Sequence, residues 1–87
     1  MFARVQVRVG TTTVPVADIV VDAPNRRVAA RKATAFVKSE FGLPPSQALL
    51  ATIPGEYVVP ACFRRIRIDD HFDAALLPSG DELYVLR

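Results

Sequence analysis

Residues 26–47, RRVAARKATAFVKSEFGLPPSQ, carry the feature on which the fold turns: a helical period that stops at a marked place. Ala30, Ala33, Val37 and Phe41 recur at three- and four-residue intervals and share one helix stripe, while Arg27, Arg31 and Lys38 fall outside it. Gly42 stands where a helix exits through a left-handed residue, and Pro44-Pro45 prevents the helix from resuming. Upstream, Asp22-Ala23-Pro24-Asn25 interrupts the chain and offers two N-caps, Asp22 or Asn25. The spacing predicts one helix over about 26–41. Its stripe of Arg27, Arg31 and Lys38 has the composition of a solvated face.

Before the helix the period is two. In Phe2 to Val9, FARVQVRV, the residues Val5, Val7 and Val9 alternate with Arg4, Gln6 and Arg8, the pattern of a half-buried strand. Gly10-Thr11-Thr12 supplies a turn, and a second strand is expected over about 13–21, with Pro15 pointing to an edge or a bulge. After the helix, Ala48 to Ile53 reads as a third strand closed by a Pro54-Gly55 turn, with a short strand over Glu56 to Val59. Cys62 to Ile68 alternates again, Ile66 and Ile68 against Arg65 and Arg67. His71 to Leu77 reads as a helical turn, Pro78-Ser79-Gly80-Asp81 as a turn, and Glu82 to Leu86 as the last strand. The order is two strands, one helix, then several strands: an α+β domain, a mixed sheet with one helix packed across it.

The chain has 87 residues, 51% of them hydrophobic and 23% charged, which fits one globular domain over 1–87 rather than a disordered chain. A net charge of +2 falls short of a dedicated nucleic-acid binder, so no nucleic-acid partner is expected. The single cysteine, Cys62, excludes an internal disulfide framework and a Cys-rich zinc site, and fits a reducing compartment. The alternating amino terminus is neither an apolar signal block nor a membrane span, so the expected location is cytoplasmic. Abundant Ala, Val and Arg fit a GC-rich bacterial source.

The run Phe41-Gly42-Leu43-Pro44-Pro45-Ser46-Gln47 resembles the helix exit of ubiquitin, where Gly-Ile-Pro-Pro-Asp-Gln leads into the third strand. The end, Gly80-Asp81-Glu82-Leu83-Tyr84-Val85-Leu86-Arg87, resembles ubiquitin's last strand and the closing Gly-Asp-Glu strand of the sulfur carriers of thiamine and molybdopterin synthesis. Element order and length agree over nearly the whole chain. The resemblance implies a ubiquitin-like β-grasp fold and a non-catalytic role in protein–protein interaction, as an accessory component of a larger bacterial assembly. Between Ile53 and Phe72 the chain is several residues longer than ubiquitin. It also lacks the Gly-Gly tail through which ubiquitin and the sulfur carriers act. A modifier or sulfur carrier using such a tail is the alternative reading.

The candidate binding residues are Leu50, Tyr84, Leu86, Arg65 and Arg67. In the last strand Leu83 and Val85 are expected to face the helix and Tyr84 and Leu86 to face outward. By resemblance, Leu50 takes the place of the exposed isoleucine that ubiquitin uses for recognition. Leu50, Tyr84 and Leu86 then form an apolar patch for a protein partner on the exposed sheet face. A register slip of one residue would turn these into core positions. Arg65 and Arg67, with Arg64 and Arg87 nearby, suit an acidic partner or a phosphate backbone, although a basic strand also simply keeps its edge soluble, and no aromatic residue is interleaved to stack bases. Lys32 and Lys38 are the only lysines available for conjugation. His71 among Asp69, Asp70 and Asp73 lacks a second histidine, and the aspartates suit turns, so neither a metal nor a cofactor is expected. Cys62 beside Phe63 reads as a buried filler rather than a nucleophile, and no catalytic residue is assigned.

Overall fold

The computed structural model describes residues 1–87. Six strands and one helix follow in the order β1 (Phe2–Val9), β2 (Ala17–Asp22), α1 (Arg26–Glu40), β3 (Leu49–Tyr57), β4 (Arg64–Arg67), β5 (Phe72–Leu76) and β6 (Glu82–Leu86). They form one mixed sheet in the order β3-β1-β2-β6-β5-β4, crossed by the single helix. Every pairing is antiparallel except β2 with β6, where Val20 lies beside Val85 and Val21 beside Leu86. No helix is long and apolar enough to cross a membrane.

The helix forms over the expected span, with its buried stripe shifted so that Ala29 replaces Ala30, which is half-buried. The Asn25 side chain accepts a hydrogen bond from the Val28 N–H at 2.9 Å, so Asn25 rather than Asp22 is the cap. At the other end Gly42 adopts φ +61°, and the Leu43 N–H donates to the Lys38 carbonyl at 2.9 Å, a Schellman closure. The buried stripe is Ala29, Ala33 and Val37, with Phe36 packed beside them; Phe41, past the last turn, is exposed. The helix faces Ala3, Val5 and Val7 of β1 and Ile19 and Val21 of β2. Ala29 and Ala33 carry no bulk, which lets the helix lie close to these valines.

Several other local expectations differ from the structure. Residues 13–16 are loop, and β2 begins at Ala17 in the sheet interior rather than at an edge. Pro15 has no N–H for a ladder, so the strand starts beyond it. Pro54-Gly55 is not a turn: β3 runs on through it to Tyr57, with a register shift opposite Arg4 to Gln6. Because β3 is an edge strand, a proline at an irregularity costs it no interior hydrogen bond. His71 to Leu77 is not a helical turn but contains β5, whose Asp73, Ala74 and Ala75 are all buried. A strand flanked on both sides, whose small alanines are screened by larger side chains of its neighbours, loses its alternation, and tertiary burial overrides the helical preference of alanine and leucine. Cys62 is exposed rather than a buried filler.

The sheet has two unequal apolar faces. On the helix side the core is continuous from β1 through β2 to Leu86. On the other side a smaller cluster joins Phe2, Ala75 and Val85, with Phe63, Val59, Val20 and Leu83 packed against it. Phe2 and Phe63 meet edge to face at 5.7 Å.

Candidate functional site

The site is built at the end of the sheet that the helix leaves uncovered. Helix α1 packs on β1, β2 and β3. Over β6, β5 and β4 the register defines cross-strand rows on the helix-side face. Leu86 lies opposite Phe72; Tyr84 lies opposite Ala74, which lies opposite Ile66. Phe36 of the helix covers the first row, its ring 5.2 Å from that of Phe72. The second row has no such cover. Tyr84 is 55% exposed and Ile66 40% exposed, with Ala74 buried between them as the small residue beneath two larger neighbours. Ile68, exposed, continues the same face where its N–H donates to the Phe72 carbonyl at 3.1 Å.

The Tyr84 hydroxyl donates to Glu82 Oε2 at 3.1 Å, and this hydrogen bond to a carboxylate raises the phenol above its ordinary value. The phenol therefore stays neutral, an aromatic surface with one polar handle, as interface tyrosines commonly are. At the outer margin lies β4, all four of whose residues are exposed and whose only strand neighbour is β5.

The opposite face is closed by charge. Asp73, 7% exposed, accepts from Arg65 Nε on Oδ2 and from Arg87 Nη1 on Oδ1, each at 2.6 Å. Arg65 also reaches Asp22 Oδ2 at 2.6 Å and lies over the Phe2 ring at 5.7 Å. The hydrogen bonds from Arg87 and then Arg65 hold the Asp73 carboxyl below its usual range. Asp69 shapes the β4–β5 turn: one oxygen accepts from the Phe72 and His71 N–H groups, both at 2.7 Å, and these lower its carboxyl too.

The sequence-derived candidates do not assemble into one patch. Leu86 is 4% exposed and packs under the helix, so it is core and not an outward anchor. The face was assigned one residue out of step: Val85 belongs to the smaller cluster on the opposite side. Leu50 is 54% exposed, yet it lies opposite Arg8 on the face away from the helix. It also sits three strands from Tyr84, roughly 14 Å at ordinary strand spacing. Arg65 and Arg67 share a face, but Arg65 is committed to Asp22 and Asp73. Arg67 meets only the exposed Asp70, at 3.3 Å. Tyr84 alone stays on the uncovered row, joined by Ile66 and Ala74, which sequence reading passed over. Alternation marks Ile66 as one-sided, but only strand register reveals that its face aligns with Tyr84.

A shallow groove of about 300 Å³ lies between the helix and the end of β6, lined among others by Lys32, Phe36, Ser39, His71 and Arg87. Its cations are already engaged: Lys32 Nζ donates to the Asp22 carbonyl at 2.9 Å, and Arg87 donates to Asp73, Phe72 and Asp69. No three His, Cys, Asp or Glu side chains converge to hold a metal ion. The chain matches no protein-family model, no curated protein and no solved structure.

Proposed function

We propose that this protein is a non-catalytic interaction module, a ubiquitin-like β-grasp domain that docks on a protein partner as an accessory component of a larger assembly. The observation that carries the docking reading is the bare row Tyr84–Ala74–Ile66, an aromatic and an aliphatic side chain exposed on either side of a buried alanine. The β-grasp reading is supported by the strand–strand–helix opening, the exit at Gly42-Leu43-Pro44-Pro45, and a mixed sheet crossed by one helix. The engaged cations of the groove and the self-satisfied carboxylates of Asp69 and Asp73 leave little free chemistry elsewhere.

The test is affinity capture from the native cell extract with wild-type protein and with Tyr84→Asp, circular dichroism confirming that both are folded. A partner retained by wild type and lost by Tyr84→Asp supports the reading. Retention of the same partner by Tyr84→Asp sinks the docking face, and the absence of any specific partner on wild type sinks the module.

A further inference from the structure

We propose that β4 is a docking edge that takes up an extended, acidic and apolar strand from the partner, so that recognition occurs by strand addition. This rests on the interaction-module reading and names the partner's chemistry.

The sheet has two open edges, and they differ. The β3 edge contains Pro54 and a register shift, both of which obstruct continuous pairing. The β4 edge, Arg64–Arg67, pairs in unbroken register with β5 and contains no proline. Its outward backbone donors and acceptors have no strand partner. A strand laid along it would extend the Tyr84–Ala74–Ile66 row by one residue, and that residue must be apolar to bury Ile66. Two residues along, on the same face, stands Arg64, exposed and in no ion pair. Arg67 on the opposite face has only the solvent-exposed Asp70. Acidic residues opposite Arg64 and Arg67 complete the match, whereas the third arginine, Arg65, is held inward by Asp22 and Asp73.

A second copy does not fit this edge. Pairing β4 with β4 would bring the Arg64, Arg65 and Arg67 sets of both copies together, and like charges directly opposed on a sheet repel. Pairing β4 with β3 of another copy meets the Pro54 irregularity. The row of apolar side chains also distinguishes the edge from a phosphate-binding surface, which would have no use for Ile66 at its centre.

The test uses the full chain and short capped, fluorescent peptides centred on Glu-Val-Thr-Glu, which in antiparallel pairing sets the valine opposite Ile66 and the glutamates opposite Arg67 and Arg64. The same peptide with lysine in place of glutamate, and the glutamate peptide with a central proline, complete the set. A single-stranded oligonucleotide is run in parallel. The expected result is anisotropy-detected binding of the glutamate peptide only, with new protection of β4 amides from hydrogen exchange. Ile66→Asp should weaken it tenfold or more. Arg64→Glu with Arg67→Glu should transfer preference to the lysine peptide, a reversal that misfolding would not produce. Equal binding of the proline peptide, unchanged β4 protection, a preference for the oligonucleotide, or self-association by sedimentation would each overturn the proposal. If a natural partner is lost with Tyr84→Asp but kept with the Arg64 and Arg67 substitutions, the module stands and the edge does not.

Discussion

Arg87 Nη1 lies 2.6 Å from Oδ1 of Asp73, while the other oxygen of the same carboxylate is taken by Arg65. One buried aspartate thus ties β4, β5 and the residue that follows β6, and through Arg65 it reaches Asp22 at the end of β2. The carboxylate is largely shielded from water, and both guanidiniums favour its ionised form.

Replacing Asp73 by Asn should lower the urea midpoint at pH 7, because two guanidiniums lose their shared acceptor. The pH dependence has a definite sign. The Asp73 carboxyl titrates below its ordinary 3.8 in the folded protein, so its contribution is complete above that value and is lost as pH falls through the folded pKa. The gap in stability between wild type and Asp73→Asn should therefore narrow as the pH falls below about 4. Asp18, lowered by Arg4, and Asp69 keep part of the acid dependence in the variant. A gap that stays constant over that window would refute the clamp.

Leu86 and Tyr84 should separate stability from recognition. Leu86→Ala removes a buried side chain beneath the helix and should cost roughly 2–5 kcal/mol in denaturant unfolding. Tyr84→Asp lies on the surface and should change stability by no more than about 0.5 kcal/mol. If the two substitutions cost the same, the facing of β6 is wrong.

The helix ends offer a third measurement. Asn25→Ala should cost about 1 kcal/mol through the lost bond to the Val28 N–H, and Asn25→Asp should retain most of it. Gly42→Ala should cost about 1–2 kcal/mol. A Cβ there would meet nothing within 4 Å, so the penalty is the φ of +61° and not a clash.

Cys62, exposed in the segment between β3 and β4, should alkylate with iodoacetamide in the native protein at a rate close to that in urea. The circular dichroism spectrum and the wild-type partner should be unaffected. Slow native alkylation would place the thiol inside the fold.

Much of the local structure was legible in the sequence. The alternation in β1, the helical period of α1 and the Gly42 exit are each specified within a few residues, because helical and extended periods and left-handed glycines are local constraints, whereas the choice of Asn25 over Asp22 as cap and of Ala29 over Ala30 and Phe41 as buried positions was not. The strand at Phe72 to Leu76 was not legible, since its identity comes from pairing with β4 and β6 on either side. Nor were the pairing of β2 with β6, the burial of Leu86 or the row from Tyr84 to Ile66. A strand's two faces are told apart by what lies against them, and a shift of one residue exchanges them. The helix, its exit and the half-buried opening strand follow from short runs of residues alone. Which apolar side chains reach solvent is settled in three dimensions, because it depends on how far one short helix extends across six strands.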